Sequence, residues 1–169
     1  MATAEERLME WLRDAHAAEE QAETMLSGFA ARLEHYPELK ERVQKHVKET
    51  QHQAERVQAC IKRRNGSTST LKVIGAKTMG LGQALSGVFV GDEVVKGALA
   101  ISAFEAMEIA SYKILVRAAE TVGDNDTAKV CGQILREEQE MAGWLDKHID
   151  SITGKYLRLE EKPGATAKH

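Results

Sequence analysis

Residues 102–112 read SAFEAMEIASY, and in them Glu105 and Glu108 stand three apart among Phe104, Ala106, Met107, Ile109 and Ala110. At about 100° per residue, both carboxylates fall on the apolar stripe of a helix instead of its solvated face. Other stretches repeat the pattern. Glu19 interrupts the stripe Leu8, Leu12, Ala15, Ala22, Leu26 and Phe29. Glu137 and Glu138 stand on the two shoulders of Val130, Ile134, Met141, Leu145 and Ile149. Glu49 lies at the margin of Leu39, Val43, Val47, Thr50, Ala54, Val57 and Ile61, with Gln53 nearer its centre. A buried carboxylate is too costly to leave ionised and unpaired, and several together raise one another's pKa. These stripes carry almost no Lys or Arg to compensate. Metal ions would satisfy such a set, and carboxylates with few nitrogens favour iron or manganese over metals that prefer soft ligands.

The nitrogen candidates are fewer. Glu49 to His52, ETQH, is an E-x-x-H pair of the kind that recurs in the dinuclear sites of helix bundles. The motif is short and its residues are common, and His52 falls nearly opposite the centre of its stripe. Gln53 is a competing neutral ligand or hydrogen-bond donor. His46, one turn before Glu49, reads equally as a residue that orients a ligand and as a core histidine. One turn after Glu138 come Met141 and Ala142. Neither is a ligand for a hard cation, which weakens a second metal position. Glu137 reads as evenly solvated as buried. Tyr112, one turn from Glu108, could hydrogen-bond a carboxylate, though packing is the commoner use of such a residue.

Four long helical patterns must carry these residues. The first spans about Ala4 to Glu34. Pro37 opens the second in its first turn, where a missing N–H costs nothing, and Asn65-Gly66 closes it after Arg64. The third runs from an Asp92 cap to Gly123. The fourth follows Asp124-Asn125-Asp126 and ends near Gly154, with Gly132 and Gly143 inside it predicting close contacts. The first and third connections are short, whereas some 27 residues separate the second and third helices. Short-long-short spacing predicts an all-α, ferritin-like four-helix bundle with a long crossover between helices two and three. Residues 1–155 form the domain and 156–169 a flexible tail.

The 169 residues suit one domain with a sizeable core. A net charge of −3 gives no reason to expect nucleic acid or an acidic membrane. The apolar-looking stretch Leu71–Gly91 is broken by Lys72, Lys77 and several glycines, so no membrane span is expected. Two cysteines without a pair motif, Cys60 and Cys131, and the absence of a signal-like N-terminus point to a reducing, cytoplasmic setting.

The stretches WLRDAHAAEEQAETML (11–26), YPELKERVQKHVKET (36–50), LGQALSGVFVGDEVVKG (81–97), FEAMEIASY (104–112) and LREEQEMAGWL (135–145) resemble the bacterial ferritin-like stress proteins of the YciE/YciF type, the YciE branch most closely. The resemblance covers essentially the whole chain. It implies a homodimer and a dinuclear iron or manganese site with no established reaction. Its ligands would be Glu19, Glu49, Glu105, Glu108 and Glu138, joined by His52 if the E-x-x-H pair is used. Family geometry implies bridging by Glu49 and Glu108. Many relatives have a histidine where this chain has Gln53, and an aspartate where it has Ala142. The expected function is a metal-binding stress protein with a role in iron handling or oxidative stress, with no catalytic residue assigned. Two alternatives stand beside it: a di-iron oxidase or peroxidase, disfavoured by the lack of CxxC pairs for a built-in electron donor, and a structural or partner-binding bundle whose metal site has degenerated.

Overall fold

A computed structural model describes residues 1–64, 93–162 and 167. Four helices account for almost all of them: α1 Ala4–Arg32, α2 Pro37–Arg63, α3 Glu93–Thr121 and α4 Asn125–Glu160. Several of the described ends have a local cause. Thr3 and Glu6 close a capping box at the start of α1, with the Thr3 hydroxyl accepting from the Glu6 amide at 3.1 Å and the Glu6 carboxylate accepting from the Thr3 amide at 2.8 Å. Pro37 sits in the first turn of α2. After α3, Gly123 takes φ +73°, the left-handed conformation that costs glycine nothing. Its N–H bonds to the Glu120 carbonyl and the next N–H, of Asp124, to that of Ala119, which completes a Schellman turn. Asp124 then caps α4, accepting from the Thr127 amide at 3.0 Å.

The helices pair as two hairpins, α1 with α2 and α3 with α4, joined by packing of α1 on α3 and of α2 on α4. Side-chain contacts give the directions. Arg64 meets Glu5 and Gln51 meets Glu23, so α1 and α2 are antiparallel. Gly97 lies against Phe29 while Tyr112 reaches Glu19, so α1 and α3 are antiparallel too. Hence α2 and α3 run parallel on the bundle's diagonal, as the long connection requires. That connection, with the expected Asn65-Gly66 stop and Asp92 cap, lies outside the described residues.

The core comes in two apolar blocks. One, around Leu26, Phe29, Val43, Ile101, Phe104, Met141 and Leu145, fills the end where α1 turns into α2. The other, around Leu8, Leu12, Val57, Ile61, Tyr112, Leu115 and Ile134, fills the opposite end. Every helix crosses from one block to the other through polar residues: Glu19 on α1, His46, Thr50 and Gln53 on α2, Glu105 and Glu108 on α3, Glu138 on α4, all buried. At the far end Arg63 and Arg64 clamp α2 onto Asp124, at 2.7 and 2.6 Å.

Two expectations about α4 need correction. The helix does not end near Gly154 but continues to Glu160. One glycine costs a helix only about 1 kcal/mol, and the extension packs Leu159 onto the core. Beyond it the Ala167 carbonyl accepts a hydrogen bond from the buried Tyr36 hydroxyl at 3.0 Å. Gly132 and Gly143 mark no close approach, since nothing lies within 4 Å of a β-carbon built on either. The glycine that packing demands is Gly97, where a β-carbon would stand 2.1 Å from the buried Phe29 ring. No helix among the described residues is long and apolar enough to cross a membrane.

Gly97→Ala is therefore expected to destabilise the fold by about 1–3 kcal/mol in chemical denaturation, overpacking outweighing the gain in helix propensity. Gly143→Ala should be neutral or stabilise by up to about 1 kcal/mol, and the same sign for both variants would contradict the packing. Asp124→Ala should cost about 1–3 kcal/mol through the lost cap and ion pairs. Burial works to raise the Asp124 pKa, but the Thr127 amide and the two guanidiniums outweigh it and hold the carboxyl well below the usual range. A depressed folded-state pKa stabilises in full above the unfolded value of about 4 and ceases to as the pH falls through the folded one. The melting-temperature gap between wild type and Asp124→Ala should narrow on acidification below about pH 4.

Candidate metal centre

The polar layer brings its carboxylates together because α1, α3 and α4 turn theirs inward at the same height, where α2 contributes His46. Oxygens of Glu19, Glu108 and Glu138 lie within 4.8 Å of one another, and so do ligand atoms of His46, Glu105 and Glu138. Glu138 thus belongs to both groups. The layer is starved of hydrogen bonds. Among the described residues, Glu19 Oε2, both oxygens of Glu105, Glu108 Oε1, Glu138 Oε2 and His46 Nε2 are buried without a directed partner. His46 Nε2 stands 3.3 Å from Glu105 and 3.4 Å from Glu138, close enough for ion pairing but not aligned as a donor. The partners that do exist come from the edges. Tyr112 donates its hydroxyl proton to Glu19. Gln53 Nε2 donates to Glu138 at 2.5 Å and to Glu137 at 2.9 Å.

Burial dominates the electrostatics. It pushes Glu19 well above the ordinary carboxyl range, with Glu138 adding to the shift and the Tyr112 hydrogen bond opposing it. Glu108 is pushed up as strongly, by burial and then by Glu19 and Glu138. Glu105 rises to about 7, since burial outweighs its contact with His46. Burial works to raise Glu138 too, but His46, Glu105 and Gln53 outweigh it and lower its pKa. His46 is the counterpart. Burial disfavours its charge, yet Glu105, Glu138 and Glu49 lift it to about 12. Without metal, the layer holds one imidazolium among carboxyl groups that share few charges.

Four of the residues expected at a site, Glu19, Glu105, Glu108 and Glu138, converge. Glu49 does not join them. Its half-buried carboxylate stands at the rim, 2.9 Å from His46 Nδ1, 3.1 Å from Arg42 and 3.2 Å from Lys45. Its pKa falls to about 2, the His46 hydrogen bond outweighing burial and the Arg42 and Lys45 contacts adding to it. With its charge already matched, Glu49 is not placed to bridge, and Glu138 holds the shared position instead. His52 is exposed, so the E-x-x-H pair does not point inward. The line that does is Val43, His46, Thr50, Gln53 and Val57. The histidine that the motif left aside is the one in the site. Glu137 is half-buried and salt-bridged to Arg56.

A model of the family described as domain of unknown function DUF892 matches residues 3–158. The chain belongs to this family. Solved structures share this fold over most of the chain. A protein from Xanthomonas campestris is 42% identical, with a TM-score of 0.81 over 95% of this chain and 100% of its own. The Escherichia coli stress protein YciF is 25% identical, with a TM-score of 0.77 over 92% of this chain and 99% of its own. YcfI from Rhodopseudomonas palustris, at 24% identity, has a TM-score of 0.67 over 86% and 94%.

In metal-free protein, His46→Leu removes the cation that faces Glu105 and Glu138. The variant is expected to lose about 2–5 kcal/mol of stability in denaturant titrations. A loss under about 0.5 kcal/mol, the range of an ordinary surface change, would mean that the imidazole does not balance this layer.

Proposed function

We propose that this chain is a metal-binding stress protein that holds two divalent ions, iron or manganese, in the layer between its two apolar blocks. The observation that carries this reading is the set of buried oxygens and one ring nitrogen that converge without directed hydrogen-bond partners. A bundle interior does not leave that many acceptors unsatisfied without a compensating partner. Three oxygen donors suit one position, Glu19, Glu108 and Glu138. One nitrogen and two oxygen donors suit the other, His46, Glu105 and Glu138. Both sets fit hard to borderline cations. Glu49 then acts from outside: by accepting from Nδ1–H it would fix the tautomer that leaves Nε2 free to ligate. When bound, such ions supply Lewis acidity and, for iron or manganese, a change of oxidation state. The stress role itself rests on the likeness to YciF, which is called a stress protein.

Metal analysis of protein loaded anaerobically with ferrous iron or with manganese(II) tests the reading. Two equivalents are expected. Glu108→Ala should weaken binding by about an order of magnitude or more, as changes around metal ligands do. Its metal-free melting temperature should stay level or rise, because a buried carboxyl group with an unsatisfied oxygen has been removed. Glu20→Ala, on the exposed face of α1, should change neither quantity. Absence of metal in the wild type would instead favour a structural bundle with a degenerate site.

A further inference from the structure

Among the described residues, the wall between α1 and α3 is not closed. A cavity of about 160 Å³ opens there, because the facing side chains are short: Ala15 and Ala18 on one helix and Ser111 on the other. Phe104 and Met107 complete its walls, and Glu108 and Tyr112 form its floor. Glu108 is only 3% exposed, its Oε1 has no hydrogen-bond partner, and it belongs to the all-carboxylate group with Glu19 and Glu138. One residue is therefore part of both the cavity and the centre. The larger grooves beside Trp144 and beside Trp11 include none of these ligand residues.

We propose that this cavity is the port and binding chamber by which a small uncharged molecule, of the size of dioxygen or hydrogen peroxide, reaches the Glu108 side of the centre. The inference rests on the metal reading above. Size and chemistry restrict the guest. A cavity near 150 Å³ accommodates a molecule up to about the size of benzene. An anion entering here would give up its water to apolar walls with no cationic side chain among the lining residues to receive it. Walls of alanine, phenylalanine and methionine offer a hydrated cation nothing in exchange for its water. A small neutral molecule meets neither obstacle, and Glu108 and the Tyr112 hydroxyl stand where it would arrive.

Two variants close the cavity from opposite sides without touching a ligand: Ala18→Phe from α1 and Ser111→Leu from α3. Crystals of metal-free protein pressurised with xenon should show the gas between α1 and α3 in the wild type and none in either variant. An empty wild-type cavity would overturn the proposal without reference to any metal. In the ferrous protein, nitric oxide serves as the neutral diatomic probe, followed by stopped-flow absorbance. Iron content should be equal in all three proteins, and the nitric oxide on-rate at least tenfold lower in both variants. Equal iron content with an unchanged on-rate would overturn the port and leave the metal site standing. A wild type that binds no iron would overturn the metal reading itself, and the port with it.

Discussion

Burying like charges is the constraint on which the rest of this bundle depends. Four carboxylates from three helices meet at one height, with a single imidazole among them. That layer holds the metal-free helices together less well than an apolar layer would, because many of its polar atoms are unpaired among the described residues. The apolar blocks on either side must therefore do more of it. Leu26, Phe29, Ile101 and Leu145 pack at one end, and Leu12, Ile61, Leu115 and Ile134 at the other. Fully burying one such side chain is worth about 1.5–3 kcal/mol. A domain whose net stability is about 5–15 kcal/mol can hold a strained layer only if its flanks are well packed. The Gly97–Phe29 contact and the arginine clamp on Asp124 belong to those flanks.

Much of this was legible from residue order. The four helices, most of their described termini, the short-long-short spacing and the inward carboxylates Glu19, Glu105, Glu108 and Glu138 follow from periodicity and punctuation, whereas the end of α4 does not. α2 was harder to read for a physical reason. Apolar Val47 and Ala54 suggested a face that the helix only half buries, while the residues turned fully inward are the polar His46, Thr50 and Gln53. Hydrophobic periodicity cannot mark a face that is buried although its residues are polar. Glu49 and His52 have the spacing of a familiar pair, although His52 lies on the exposed face. The glycines misled for a related reason. A missing side chain signals contact only where something stands in its place, as Phe29 does at Gly97 and nothing does at Gly143.

Glu49 and His46 divide the work that the motif had assigned to one residue pair. Glu49 gathers Arg42, Lys45 and the outer ring nitrogen of His46 at the rim, so its charge is balanced there. The inner nitrogen is left facing Glu105 and Glu138. A carboxylate that grips an imidazole from behind fixes its orientation and raises its basicity. Gln53 does a comparable service for Glu138, holding one oxygen with a neutral donor that brings no charge into the layer. A histidine or lysine at that position could have neutralised Glu138, but a glutamine cannot.

Charge counting then bears on how many ions the layer suits. In a low-dielectric interior the favoured state is the one closest to neutrality. With Glu49 balanced at the rim, the carboxylates that count are Glu19, Glu105, Glu108 and Glu138. Ionised, they carry four negative charges, and a neutral His46 adds none. Two divalent cations cancel that charge in full. One would leave the Glu19–Glu108 side or the Glu105 side uncompensated and so keep protons there. The geometry divides along the same line, since Glu138 lies in both groups while the others fall to one side or the other. On the metal reading, a paired centre is the state in which every buried acid of the layer can ionise, and a half-filled one still leaves the repulsion that burial imposes.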